Sequence, residues 1–283
     1  MYTRRDLARL AAGAFAASEL LSAKPNSVVH GVILGAQSWS FRDRPLEGLI
    51  KAMADIGLGY CELWQGHIEP ADATRKGLRE RRENIAIEEF TVVRDQFAQA
   101  GVKVYAYTYA FRDDLSDKEI DRGFEMAAAL GARYITSSAN VDMAKRVNPF
   151  AVKHNIIVGM HNHDSMKPNE FSTPADFAAA MEGNSNIGVN LDIGHFTAAN
   201  FDPVAYLEKM APSIVTLHIK DRKKNHGANL PFGQGDTPIA GVLKLLEARK
   251  LKIPAMIEYE YPGKDTLAEV RRCYQYCRDA LNG

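Results

Sequence analysis

Asn190-Leu191-Asp192-Ile193-Gly194-His195 and Thr216-Leu217-His218-Ile219-Lys220-Asp221 share one design: an apolar, strand-forming run that ends in groups able to bind a metal. Ile187-Gly188-Val189 leads into the first and Ser213-Ile214-Val215 into the second, so both read as buried strands. A buried carboxylate or imidazole needs a partner. Asp192 and His218, at neighbouring strand ends, can share one divalent cation; the simpler alternative is a salt bridge.

The same unit recurs along the chain. Strands are expected at 31–39, 58–64, 102–109, 132–137, 156–161, 187–192, 214–219 and 254–259. Amphipathic segments of helical length fall between and after them, at about 44–56, 84–100, 116–130, 141–154, 173–183, 202–211, 238–250 and 265–281. Helix starts are marked by Ser116-Asp117-Lys118-Glu119, Thr173-Pro174-Ala175-Asp176 and Asp202-Pro203, and helix ends by Gly57, Gly101 and Gly131. Eight strands alternating with eight helices over ~250 residues is the count of a (β/α)8 barrel. A doubly wound sheet would place a glycine-rich phosphate turn after the first strand, where this chain has Ala36-Gln37-Ser38-Trp39-Ser40-Phe41-Arg42-Asp43. The expected fold class is therefore α/β, a single TIM barrel over 26–283. Two insertions, 65–83 and 221–237, belong to its C-terminal face, where substrate loops sit.

The chain ahead of the barrel reads differently. Thr3-Arg4-Arg5-Asp6-Leu7-Ala8-Arg9, a small apolar stretch over 10–21 and then Ser22-Ala23-Lys24-Pro25 resemble a twin-arginine export signal over 1–23. Export implies a periplasmic protein; read as an ordinary amphipathic helix, the segment implies a cytoplasmic one. No other apolar run nears the ~20 residues of a membrane span. Lys+Arg and Asp+Glu both number 35, which leaves no electrostatic footprint for nucleic acid. Cys61, Cys273 and Cys277 lack metal-site or disulfide spacing and read as core residues. Self-association into a homo-oligomer is left open.

In a barrel, side chains at the C-terminal strand ends converge on one cavity. Strand two supplies Glu62, Trp64 and then His67, strand three Tyr107 and Tyr109, and strand five His161, Asn162 and His163. Strand six supplies Asp192 and His195, strand seven His218, Lys220 and Asp221, and strand eight Glu258 and Glu260. Five of the eight histidines in the chain fall in this set. One His or carboxylate from each of strands five to eight gives the metal set His161, Asp192, His218 and Glu258, whose mixed N/O donors suit one Mn2+, Zn2+, Co2+ or Fe2+ ion. His163 shares a strand face with His161 and is the alternative fifth-strand ligand; otherwise it serves as a hydrogen-bond partner beside the site. Trp39, Trp64 and Tyr107 offer faces on which a sugar could stack, or else pack the barrel mouth. Glu62, His163 and Glu260 are expected to line the same substrate cavity.

The motifs around Asp192, His218 and Glu258, with Pro231-Phe232-Gly233-Gln234-Gly235-Asp236-Thr237-Pro238, resemble the sugar phosphate isomerase/epimerase superfamily of xylose isomerase-like barrels. That resemblance implies that Asp192, His218 and Glu258 hold a divalent metal, chelated in turn by sugar oxygens. It implies that His195 touches a substrate oxygen, that Lys220 or Lys224 brings positive charge, and that the loop 232–235 closes over the site. The epimerases of that superfamily carry a glutamate on strand five, where this chain has His161 in a His-Asn-His-Asp run, so one carboxylate of the paired acid/base is missing.

The resulting expectation is a metal-dependent isomerase or epimerase acting on a sugar or keto-sugar, with Glu258, His161 and His195 as the catalytic groups. Alternatives are a lyase or hydratase acting on 3-keto-glycosides and a non-catalytic sugar-binding protein. The ligand expected in each case is a small sugar or glycoside. A DNA-cleaving relative with three zinc ions would need the basic groove that the balanced charge denies.

Overall fold

The computed structural model describes residues 24–283; the expected export signal lies outside them. Eight parallel strands close into a barrel: β1 (Val32–Gln37), β2 (Tyr60–Trp64), β3 (Lys103–Thr108), β4 (Tyr134–Ser137), β5 (Ile157–His161), β6 (Ile187–Asp192), β7 (Ile214–Ile219) and β8 (Ala255–Ile257). Each pairs with its sequence neighbour, and β8 closes on β1 through the pairs Leu34–Ala255, Gly35–Met256 and Ala36–Ile257. A two-residue strand, Val28–Val29, folds back antiparallel on β1 through a turn at His30 and Gly31, both with positive φ. The pattern did not announce it, because a two-residue strand has no period to detect.

Outside the strands run α1 (Leu46–Ile56), α2 (Arg75–Asn84), α3 (Glu88–Gln99), α4 (Asp117–Ala129), α5 (Met143–His154), α6 (Pro174–Met181), α7 (Ile193–Ala198), α8 (Pro203–Met210), α9 (Ile239–Ala248) and α10 (Thr266–Asn282). The expected caps form: Ser116 and Thr173 each close a capping box, and Asp202 caps α8 ahead of Pro203. Among the described residues no helix is long and apolar enough to cross a membrane. All three cysteines are free and buried.

Two helices depart from the expectation. The insertion after β2 contains α2, whose sequence Arg-Lys-Gly-Leu-Arg-Glu-Arg-Arg-Glu-Asn has no apolar stripe to betray it. Charge fixes it instead: Arg75, Arg79 and Arg82 converge on the buried Glu119 of α4, and Arg82 also grips Glu69. The second is α7, which follows β6 without a loop because the Asp192 carboxylate caps it through the His195 N–H at 2.8 Å. A Cβ on Gly194 would meet the Lys220 backbone oxygen at 2.8 Å and its Cβ at 2.9 Å, so glycine lets α7 lie against the end of β7.

Candidate metal centre and cavity

The floor of the site is one carboxylate. Glu62 on β2 is fully buried in the barrel, and its Oε1 accepts from Thr136 Oγ1 at 2.7 Å, His218 Nε2 at 2.8 Å and Thr108 Oγ1 at 3.1 Å. Thr216 Oγ1 reaches its second oxygen at 3.4 Å. Burial is the largest influence on Glu62 and opposes its charge, but the His218 charge and these hydrogen bonds prevail, and its pKa falls below the ordinary value. The expectation that Glu62 faces substrate is corrected here: it lies beneath the cavity and donates nothing to it. Because a carboxylate can only accept, Nε2 of His218 carries a proton, while Nδ1 is turned toward Asp192 and Glu258, 3.2 Å from Glu258 Oε2. Burial opposes charge on the ring, but Glu62 and Glu258 outweigh it and hold its pKa well above the ordinary value, so a metal at Nδ1 would displace a proton.

Asp192 and His161 are fixed in the same way. Asn162, buried between the two strand ends, accepts the Asp192 N–H at 2.9 Å and donates to the Asp192 carbonyl at 3.1 Å, which locks the end of β6 to the loop after β5. With Oδ1 of Asp192 engaged by the His195 N–H, Oδ2 is turned toward the other strand ends, 3.0 Å from Lys220 Nζ. His161 has Nδ1 3.4 Å from the Ser138 hydroxyl and turns Nε2 toward Asp192 Oδ2, 3.6 Å away.

Four atoms therefore face one point: His161 Nε2, Asp192 Oδ2, His218 Nδ1 and Glu258 Oε2. Each is buried without a hydrogen bond of acceptable geometry, and one donor atom from each residue lies within 4.8 Å of the others. Orphaned buried acceptors are costly unless something electropositive satisfies them. Two imidazole nitrogens and two carboxylate oxygens fit a borderline divalent ion such as Zn2+, Mn2+, Co2+ or Fe2+. Charge agrees with the fit, since Asp192, Glu258 and Glu260 surround a single lysine at this strand-end cluster.

That lysine is Lys220, 2% exposed, with Nζ 2.7 Å from Glu260 Oε2, 2.8 Å from Glu258 Oε2 and 3.0 Å from Asp192 Oδ2. Burial is again the largest single influence on each of these groups and opposes charge. The opposite charges outweigh it: Lys220 is held above its ordinary pKa, and Asp192 and Glu258 below theirs. For His161 burial wins, and its pKa falls, which favours the neutral ring a metal takes.

Above the four atoms opens a cavity of about 360 Å3. Trp39 and Trp64, edge to face at 4.7 Å, form one wall, and His163, His195, Lys220 and Glu260 form much of the other. A side chain on Gly66 would collide with the Trp64 indole, so that glycine admits the ring. His195 Nδ1 lies 3.0 Å from Asp164 Oδ1, itself held by Arg222, while Nε2 lies 3.0 Å from Lys220 Nζ. Arg222 Nη1 also lies 2.6 Å from Nδ1, so Asp164, Arg222 and Lys220 together hold the imidazole in place. His163 stands at the mouth, its ring 4.8 Å from His161 and 5.1 Å from His195.

Three expectations fail on placement. Tyr107 alternates with Ala106 and Thr108 along β3, so its ring leaves the barrel and packs on Phe90 and Tyr109 in the helix layer. Lys224 lies in a separate cleft with Asp202 and Pro203, its backbone N–H on Asp236. The loop 232–235 does not cover the cavity: Asp221 Oδ2 accepts the Gly233 and Gly235 N–H groups at 2.7 and 2.9 Å, and Phe232 packs on Tyr276 of α10. Asn162 was named at the end of strand five but given no role, and Asp164, Asn190 and Ser138 were assigned none either. Their types are common at strand ends, and only the pairing of β5, β6 and β7 shows what they hold.

A profile of the xylose isomerase-like TIM barrel matches residues 50–277. No curated protein sequence matches the chain. Solved structures share its fold. The 3-keto-D-glucoside 4-epimerase of E. coli is 14% identical with a TM-score of 0.67, over 88% of this chain and 99% of that one. A sugar phosphate isomerase/epimerase of Parabacteroides distasonis is 17% identical with a TM-score of 0.64, over 90% and 97%. A xylose isomerase domain protein of Planctomyces limnophilus is 17% identical with a TM-score of 0.65, over 89% and 99%. With the barrel closed and the profile spanning β2 to α10, the chain belongs to the xylose isomerase-like TIM barrel family.

Proposed function

We propose that the protein is a divalent-metal-dependent isomerase or epimerase that moves a proton beside a carbonyl of a sugar or keto-sugar. The observation that carries this reading is the set of four orphaned donor atoms at the ends of β5 to β8, open to a polar cavity walled by two tryptophans. A bound divalent ion would polarise the carbonyl oxygen and acidify the adjacent C–H. Glu258 is the carboxylate placed to accept that proton, and Lys220, 2.8 Å away, offsets negative charge that develops on oxygen. His195, held by Asp164 and Lys220, lines the cavity beside the place of a substrate hydroxyl. The tryptophan pair gives the apolar face of a sugar ring a surface to stack on.

A second reading, elimination of a substituent β to the carbonyl, is favoured by His161. Epimerisation uses a carboxylate on each face of the carbon, whereas elimination needs one base and one acid, which Glu258 and a histidine supply. The E. coli structure is named a 3-keto-D-glucoside 4-epimerase, which accords with the first reading. Periplasmic export through residues 1–23 remains part of this proposal, and it favours unphosphorylated substrates.

The test is proton exchange. Protein loaded with Mn2+ or Zn2+ is incubated in D2O with aldoses, ketoses and 3-keto-glycosides, and deuterium next to the carbonyl is followed by NMR. Incorporation that EDTA abolishes and metal restores is expected. A metal-loaded protein that exchanges no proton on any of them, or a protein that takes up no divalent ion, sinks the reading.

A further inference from the structure

The central cavity does not end at His163. A second cleft of about 290 Å3, built from the loops after β3, β4 and β5, shares Ser138 and His163 with it. Each compartment alone is near the lower bound of small-molecule sites, roughly 300 Å3. Phe111 and Phe171 lie buried beneath the second, and Arg112, Asn140 and Glu170 form its polar sides. We infer that this cleft is a second sugar subsite, so that the substrate is a neutral glycoside of at least two rings. The inference rests on the proposed function for the first ring.

Three features carry it. Among the described residues neither ring nitrogen of His163 nor the guanidinium of Arg112 has a hydrogen-bonded or ionic protein partner, so donors and acceptors stand free at the junction and in the cleft. Side chains of hydrogen-bonding type around the cleft, Arg112, Asn140 and Glu170, match the hydroxyl rim of a pyranose. The charge argues against a phosphate in that place: Asp113 and Glu170 line the cleft with Arg112 as their single cation, and in the central cavity Lys220 is engaged by three carboxylates. A phosphate dianion would meet two carboxylates for one guanidinium.

Trp39 and Trp64 are the only tryptophans of the chain and both wall the central cavity, so intrinsic fluorescence reads occupancy of the first subsite directly. The protein loaded with Mn2+ is titrated with glucose, galactose and mannose, with disaccharides carrying each at the non-reducing end, and with the corresponding 6-phosphates. A disaccharide is expected to bind at least ten-fold more tightly than its monosaccharide, and this advantage should fall to under three-fold in both Arg112→Ala and Asn140→Ala. If monosaccharides bind and every disaccharide binds no better, or a phosphate binds best, the second subsite is overturned while the proposed function stands. If no sugar perturbs the fluorescence, the reading of the first subsite fails and this one with it. Circular dichroism of the two variants guards against a loss caused by misfolding, and an advantage that survives in both folded variants overturns the assignment of these residues.

Discussion

Glu62→Gln tests whether the buried carboxylate governs the metal centre from below. The side chain keeps its shape, but the oxygen that takes Thr136, His218 and Thr108 at 2.7, 2.8 and 3.1 Å loses its charge. Hydrogen bonds to a charged group contribute about 1.5–3 kcal/mol and neutral ones about 1, so the bond that fixes the His218 tautomer weakens by about 1–2 kcal/mol. His218 is then freer to rotate or to place its proton on Nδ1, the atom a metal would take. Outer partners of metal ligands typically govern about 10–100-fold in affinity, or about 1.4–2.7 kcal/mol. Titration calorimetry of Mn2+ or Zn2+ into apoprotein is therefore expected to show a Kd weakened by about ten-fold or more, with the stoichiometry of about one metal per chain unchanged. A variant that folds and binds metal within two-fold of the parent would refute the argument that Glu62 orients His218.

Removing each histidine of the strand-five pair separates their roles: His161→Ala should lower metal occupancy far more than His163→Ala, measured by elemental analysis, because only His161 turns an unsatisfied nitrogen to the other ligands. Gly194→Ala places a methyl 2.8–2.9 Å from Lys220 and should cost about 1–3 kcal/mol in chemical denaturation, with Lys220 displaced in the cavity; an unchanged midpoint would show that α7 is not held by that contact. Glu119, held at a pKa of about 2 against burial by Arg75 and its neighbours, gives stability that is complete above its ordinary value of 4.5 and is lost as pH falls toward 2. Glu119→Gln should therefore lower the unfolding free energy near neutral pH by about 2 kcal/mol, the arginines being partly screened by water, and the gap should close between pH 4.5 and 2. A gap that persists at low pH would mean packing, not charge, was lost.

The barrel was legible because apolar runs ending in ligand-type residues recur at regular intervals, and a strand end is a position that sequence alone can locate. His161 and Asp192 close β5 and β6, His218 is paired with Asp192 one residue before the end of β7, and Glu258 follows β8 directly, so the four side chains meet at the C-terminal mouth of the barrel. The errors concern direction. Tyr107 and Thr108 are adjacent, and which of the two enters the barrel depends on a register that a near-continuous apolar strand does not display. Glu62 was placed at the correct strand end but one layer too high, since depth along the axis follows from strand stagger. The helix α2 was hidden because ion pairs to Glu119 and Glu69, not an apolar stripe, attach it to the barrel.

The threonine ring around Glu62 has a bearing on design. Grafting four ligand side chains onto another eight-stranded barrel would not reproduce this centre. His218 would choose its own tautomer unless strand two also sent in a carboxylate and strands three, four and seven supplied the hydroxyls that hold it. The transferable unit is a disc through the whole barrel, in which residues that never meet a substrate decide which nitrogen does the work.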